Sequence, residues 1–110
     1  LALGLGLGAQ IVAVAKLGDV PTGTIKFVEV AGTPIALCNV EGRVFAVGNV
    51  CTHDGGPLSG GTLEEQTIEC QRHGAKFDVR DGRVLCLPAP LPIPTYDVKV
   101  DGETIKVKVL

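Results

Sequence analysis

From Ile11 onward, short apolar runs alternate with turn-forming residues, and this pattern predicts an all-β protein. The runs are rich in Val, Ile, Thr and Phe, whereas no stretch repeats apolar residues at the spacing of a long amphipathic helix. Asp19–Gly23 is expected to be a loop or a short helical turn, because Pro21 and Gly23 discourage a longer helix. Strands are expected at about Ile11–Lys16, Thr24–Val30, Pro34–Val40, Val44–Gly48, Thr67–Glu69, Lys76–Val79, Arg83–Leu85, Tyr96–Val100 and Thr104–Val109.

Glycine and proline mark the turns and loops between these runs. Glycine adopts the positive φ values that tight hairpin turns require. Two stretches break the strand pattern: the Gly-rich 49–65, and 85–95, which contains four prolines. Because proline restricts φ, the second stretch is expected to be a rigid loop suited to covering a site. Hairpin turns are predicted at Ala31-Gly32, Glu41-Gly42, Asp81-Gly82 and Asp101-Gly102.

Length and charge exclude several classes of function. The chain has 110 residues, enough for one domain with a modest core. Ten basic and twelve acidic residues give a net charge of −2, which argues against nucleic acid as a partner. The apolar stretch 1–8 is short and interrupted by Gly, and it lacks the pattern of a secretory signal. We therefore expect no membrane span, and we expect a soluble, cytoplasmic protein.

The residues that can carry chemistry are concentrated in two short motifs, Cys51-Thr-His53 and Cys70-Gln-Arg-His73. Both histidines of the chain fall inside these motifs, so Cys51, His53, Cys70 and His73 are the candidate metal ligands. The other two cysteines, Cys38 and Cys86, stand in apolar strand-like runs and are expected to be buried free thiols. A Cys38–Cys86 disulfide is the alternative.

Two thiolates and two imidazoles suit either one tetrahedral zinc ion or a 2Fe-2S cluster with the cysteines on one iron and the histidines on the other. Zinc sites more often use Cys-x2-Cys or His-x3-His pairs, in which both members of a pair bind the same ion. In Cys-x-His the two side chains diverge enough to reach two neighbouring metals. The spacing therefore favours two irons, and a structural zinc-binding interaction module stays as an alternative.

The residues around both motifs resemble the cluster-binding loops of the Rieske family. Cys51-Thr-His-Asp-Gly-Gly-Pro-Leu58 resembles the first loop, and Cys70-Gln-Arg-His-Gly-Ala-Lys-Phe-Asp78 resembles the second. Pro88-Ala-Pro90 resembles the third, proline-bearing loop, and the segment 96–102 resembles the last hairpin of the family. The resemblance extends over about 13–109, and the apolar segment 1–10 has no counterpart in it.

The resemblance implies a fold and a cofactor. The fold is an antiparallel β-sandwich over 11–110, with a small cluster-binding subdomain at one end, about 48–90. The cofactor is one 2Fe-2S cluster per chain, with the histidine-bound iron nearest the solvent. The ligands implied are Cys51, His53, Cys70 and His73.

Two departures from the quinol-oxidising Rieske proteins point to a ferredoxin. Gly55 and Gly56 stand where those relatives carry a third loop cysteine, so the loop disulfide is excluded. Ala75 and Phe77 stand where they carry Ser and Tyr hydroxyls that donate hydrogen bonds to sulfur. The loss of these donors implies a reduction potential towards the lower end of the Rieske range of roughly −150 to +300 mV. Backbone amides near Gly55, Gly56 and Gly74 are expected to donate hydrogen bonds to the sulfurs.

The nearest resemblance is to the Rieske-type ferredoxins of bacterial aromatic-ring-hydroxylating oxygenases. It implies an electron carrier that is not itself an enzyme, with a flavin reductase as the donor and a terminal oxygenase as the acceptor. A monomer is expected in isolation, with neither nucleic acid nor membrane as a partner. A Rieske small subunit of a larger oxidoreductase, such as nitrite reductase, is the alternative within the family.

Overall fold

In the computed structural model, residues 10–52, 55–71, 74–86 and 91–109 are described, and they form short strands joined by turns. A single-turn 3-10 helix, Leu17–Asp19, follows the first strand. No helix in these ranges is long and apolar enough to cross a membrane. The strands pair antiparallel, which confirms the predicted all-β fold. They are β1 (Gln10–Lys16), β2 (Ile25–Val30), β3 (Thr33–Val40), β4 (Arg43–Gly48), β5 (Thr62–Glu64), β6 (Thr67–Glu69), β7 (Lys76–Asp78), β8 (Val84–Cys86), β9 (Thr95–Tyr96), β10 (Val98–Asp101) and β11 (Thr104–Val109).

Strand β3 lies at the centre of the described fold, because both of its faces are buried. The strands form a three-stranded sheet, in the order β1-β11-β10, and two four-stranded sheets, β2-β3-β4-β9 and β5-β6-β7-β8. Ile35 and Leu37 belong to one core together with residues of β11. Ala36 and Cys38, on the opposite face of β3, belong to a second core together with residues of β6 and β7. The sheet β5-β6-β7-β8 therefore packs against the back of the β2-β3-β4-β9 sheet.

The predicted hairpin turns are confirmed, since each lies between paired antiparallel strands. Ala31-Gly32 joins β2 to β3 and Glu41-Gly42 joins β3 to β4, and all these residues have positive φ. Consecutive positive φ values are the conformation of a type I′ turn. The last turn is shifted by one residue from its prediction, because Asp101 pairs with Thr104 and the turn residues are Gly102 and Glu103. Asp81-Gly82 lies in the longer connection between β7 and β8.

The predicted strand Tyr96–Val100 is wrong in one respect, because the chain changes sheets within it. Thr95–Tyr96 pairs with β4, whereas Val98–Asp101 pairs with β11. Asp97 stands between the two pairings, and its carbonyl accepts a hydrogen bond from the Lys108 amide at 2.9 Å. The alternating residues of this run continue through Asp97, so the sequence pattern carries no sign of the change.

Strand β5 was not predicted, because it lies inside the Gly-rich stretch 49–65 that the sequence predicts as a loop. It pairs with β6 through a turn in which Glu65 has a φ of 53°. Positive φ at a residue other than Gly is uncommon. Because this turn contains no glycine, the sequence does not mark it as a turn. The 3-10 turn likewise begins two residues before the turn predicted at Asp19–Gly23.

A buried carboxylate, Asp78, organises the connection between β7 and β8. Asp78 is only 1% exposed and accepts hydrogen bonds from the Arg80 side chain at 3.0 and 2.8 Å and from the Arg80 amide at 2.9 Å. The Arg83 guanidinium lies 3.6 Å from the same carboxylate. The Arg80 side-chain hydrogen bond, with the positive charges of both arginines, holds the pKa of Asp78 below its ordinary value despite burial.

Replacing Asp78 by Asn should lower the free energy of unfolding by about 2 kcal/mol at neutral pH, because charged hydrogen bonds to a buried acceptor are lost. A carboxyl whose pKa is lowered by folding stabilises the native state above the pKa of the unfolded chain, ~3.9. That stabilisation is lost as the pH falls through the lower folded-state pKa. The difference in the free energy of unfolding between the variant and the parent should therefore be largest at neutral pH and shrink below about pH 4. Urea unfolding followed by circular dichroism measures it.

Asp101→Asn is the matched control. Asp101 pairs with Lys106 at 3.4 Å but its side chain is exposed, so its replacement should cost less than about 0.5 kcal/mol. The role assigned to Asp78 would be contradicted if Asp78→Asn lowered the free energy of unfolding no more than the control does. It would also be contradicted if that loss grew on acidification.

Candidate metal centre

Two loops of matching backbone geometry carry the two cysteines of the predicted motifs. In the first loop, the Cys51 amide donates to the Gly56 carbonyl at 2.7 Å, and the Gly55 amide donates to the Cys51 carbonyl at 2.7 Å. The loop therefore closes on its own cysteine through two main-chain hydrogen bonds. Two residues, Asn49 and Val50, connect the end of β4 to this loop.

The second loop, between β6 and β7, repeats this arrangement. The Cys70 amide donates to the Ala75 carbonyl at 2.8 Å, and the Gly74 amide donates to the Cys70 carbonyl at 3.1 Å. Gly55 and Gly74 occupy the same place, four residues after the cysteine, with φ of 77° and 75°. Glycine is favoured there because other residues rarely adopt this left-handed conformation.

For two of the three glycines expected to donate to sulfur, these bonds show a different acceptor. The amides of Gly55 and Gly74 donate to the carbonyls of the cysteines rather than to sulfur. The two glycines therefore shape the loops.

The side chains of both cysteines are buried in one apolar core. Cys51 is 0% and Cys70 is 2% exposed, and they share this core with Leu58, Ala75 and Phe77, all fully buried. A buried thiolate is unfavourable unless a cation compensates its charge, and a metal centre provides that cation. Two buried cysteines at the starts of two matched loops therefore fit the sulfur side of a metal or cluster site.

The histidines of the motifs lie outside the described residues. His53 and His73 each fall, in the sequence, between a cysteine and the glycine that closes its loop. The neighbouring Asp54 and Arg72, and the predicted third-loop prolines Pro88 and Pro90, also lie outside the described ranges. The assignment of His53 and His73 as ligands therefore remains a prediction.

Asn49 makes polar contacts at the base of the first loop, and the sequence analysis did not predict them. Asn49, 5% exposed, donates from its amide nitrogen to the Ser59 hydroxyl at 3.1 Å and accepts from the Ser59 backbone amide at 2.7 Å. The backbone amide of Asn49 donates to the Pro34 carbonyl at 3.0 Å, at the start of β3. Asn49 therefore joins both ends of the loop to the central strand. The available signal was a lone polar residue directly after an apolar strand.

The two remaining cysteines differ from each other. Neither forms a disulfide, and Cys38 is buried as predicted. Burial raises the pKa of the Cys38 thiol to about 12, so it stays protonated at neutral pH. Cys86 is exposed, which corrects the prediction that it is buried. The reason is its place on β8, the edge strand of the β5-β6-β7-β8 sheet, where an apolar run is covered on fewer sides.

The family comparison matches the region that contains both loops. The profile of the Rieske [2Fe-2S] domain matches residues 10–97. A curated relative is the ferredoxin component of the naphthalene 1,2-dioxygenase/salicylate 5-hydroxylase systems of Ralstonia sp. It is 43% identical over 94 residues, which cover 86% of this chain and 90% of the relative.

Solved structures show the same likeness. The ferredoxin of carbazole 1,9a-dioxygenase from Nocardioides aromaticivorans IC177 matches with a TM-score of 0.86 at 35% identity, covering 89% of this chain and 96% of that chain. A chain in the complex of reduced oxygenase and oxidised ferredoxin in carbazole 1,9a-dioxygenase matches with a TM-score of 0.83 at 33% identity. That match covers 88% of this chain and 91% of the other.

The contrast between Cys38 and Cys86 predicts selective alkylation. Iodoacetamide should label the native protein once, at Cys86, because Cys86 is exposed whereas Cys38, Cys51 and Cys70 are buried. Mass spectrometry of proteolytic fragments locates the label. Cys86→Ser should abolish labelling, and a label on Cys38 in the native protein would contradict the burial described.

Proposed function

Because this chain belongs to the Rieske [2Fe-2S] domain family, we propose that it is a soluble one-electron carrier of an aromatic-ring dioxygenase system. The observation that carries the proposal is the pair of matched loops that bury Cys51 and Cys70 in one core, within the region that the family profile covers. Its cofactor is a 2Fe-2S cluster. The cluster, when bound, supplies a one-electron couple in which neutral imidazoles replace two of four thiolates and ease reduction.

The proposed ligand set assigns a separate role to each side of the site. Cys51 and Cys70 would hold one iron, and His53 and His73 would hold the other. Leu58, Ala75 and Phe77 pack around the cysteines and exclude water from their side chains. The segment of about 48–90 would form the cluster-binding subdomain.

The alternatives have less support. The family match favours a 2Fe-2S cluster over a lone zinc ion at the same four residues. The relatives named above are ferredoxin components, which favours an electron carrier over a small subunit of nitrite reductase and over an enzyme in its own right. One similar chain is a ferredoxin in complex with its oxygenase, which supports a terminal oxygenase as the acceptor here. We propose a flavin reductase as the donor and a monomeric, cytoplasmic carrier.

Reconstitution tests the proposal. The purified chain should contain about two irons and two sulfides and absorb visible light. It should restore product formation when added to the reductase and oxygenase of an aromatic dioxygenase system that lacks its own ferredoxin. His73→Ala should lose both the native visible spectrum and turnover, because one proposed ligand is gone.

Cys86→Ser is the matched control, since it changes an exposed cysteine outside the two loops and should retain colour and turnover. A colourless or zinc-containing parent protein would refute the proposed function. Survival of the native spectrum in His73→Ala would refute His73 as a ligand.

The residues around the cysteines also predict the reduction potential. Ala75 and Phe77 are fully buried beside Cys51 and Cys70, and neither side chain can donate a hydrogen bond. Ala75→Ser adds a hydroxyl donor there, which should stabilise the more negative reduced state. If that bond contributes about 1 kcal/mol, the potential should rise by about 40 mV for a one-electron couple. Protein-film voltammetry measures it.

Ala46→Ser controls for the burial of an extra hydroxyl. Ala46 is 2% exposed but belongs to the other core, which contains neither Cys51 nor Cys70. The reduction potential of Ala46→Ser should equal that of the parent. An unchanged or lower potential for Ala75→Ser would contradict the effect assigned to the missing donor.

A further inference from the structure

A side-chain hydrogen bond ties the first cysteine loop to the segment 91–94. The Thr52 hydroxyl donates to the Leu91 carbonyl at 2.7 Å, across 39 positions of sequence. Thr52 stands directly between Cys51 and His53, the two proposed ligands of this loop. The bond therefore connects the middle of a ligand motif to a distant part of the chain.

Main-chain hydrogen bonds hold the segment 91–94 in a defined position. The Ile93 amide donates to the Gly82 carbonyl at 2.9 Å, and the Gly48 amide donates to the Pro94 carbonyl at 2.8 Å. The approach at Gly82 leaves no space for a side chain, since a Cβ there would lie 2.0 Å from the Ile93 carbonyl oxygen. Ile93 is also buried in the core that contains both cysteines. The segment is thus a fixed support to which the loop can be attached.

The bond from Thr52 differs from the main-chain bonds within the loop, because it reaches a distant segment of the chain. The main-chain bonds from Cys51 to Gly56 and from Gly55 to Cys51 close the loop on itself. Among the side-chain hydrogen bonds of the described residues, the one from Thr52 makes the connection. Its net contribution is that of an ordinary neutral hydrogen bond, because Leu91 is exposed and water competes for its carbonyl.

We propose that Thr52 is a positioning residue, whose hydroxyl holds the first ligand loop against the segment 91–94 and limits the access of water to the ligands. This inference rests on the proposed function, since the loop in question is the one that supplies Cys51 and His53. Loss of the hydroxyl should increase the population of the opened loop about two- to tenfold. An opened loop loses its cluster faster and exposes the cluster to water.

Three variants test the proposal in the cluster-loaded protein. Thr52→Val removes the hydroxyl and nearly keeps the shape, and Thr52→Ser keeps the hydroxyl. Thr24→Val is the matched control, because the Thr24 hydroxyl donates to the Pro21 carbonyl at 2.6 Å in a loop that carries no proposed ligand. Two quantities are measured: the rate of bleaching in the presence of an iron chelator, and the reduction potential by voltammetry.

Thr52→Val should bleach about two- to tenfold faster than the parent. Its potential should move in the positive direction, because water stabilises the more negative reduced cluster. Thr52→Ser and Thr24→Val should match the parent in both quantities. The proposal is overturned if Thr52→Val equals the parent in either quantity, or if Thr24→Val changes as much as Thr52→Val.

These outcomes are distinct from a failure of the proposed function. A colourless parent protein would refute the cluster and the positioning role together. A coloured parent that fails to support an oxygenase would refute the carrier role alone, since the Thr52 measurements require only the cluster.

Discussion

The burial of two cysteine side chains in one apolar core is the constraint on which the rest of the described structure depends. Cys51 and Cys70 begin two loops, and each loop closes on its own cysteine by a pair of main-chain hydrogen bonds. Such burial is favourable for thiolates only when a cation compensates their charge. Loop closure and cofactor binding are therefore interdependent, and a left-handed glycine in each loop, Gly55 and Gly74, is the local condition for both.

The central strand β3 connects this core to the rest of the fold. Its residues alternate between the two cores, so the core that contains Cys51 and Cys70 lies directly on the opposite face of the same strand from the other core. Cys38 is one of these residues and shares the core with Cys51 and Cys70. Burial raises the pKa of its thiol to about 12, so Cys38 is protonated at neutral pH, and it lies on strand β3 outside the two loops. A third buried cysteine is thereby compatible with a site that uses two.

The sequence was most informative where one residue type determines the local conformation. Hairpin turns follow from Gly32 and Gly42, and the closing of both cysteine loops coincides with Gly55 and Gly74. Prediction failed where tertiary pairing decides the outcome. The change of sheet at Asp97 depends on which strand is adjacent, and the exposure of Cys86 depends on β8 being an edge strand. Neither property is encoded in the local alternation of residues.

Main-chain and side-chain interactions have different roles in this site. The loops are closed by backbone hydrogen bonds, which depend on side-chain identity only at the left-handed glycines. Substitution elsewhere, as at Ala75 and Phe77, changes the donors near sulfur without altering loop closure. The ferredoxin of carbazole 1,9a-dioxygenase retains the fold at 35% identity, and under the proposed function a few buried side chains would adjust the reduction potential.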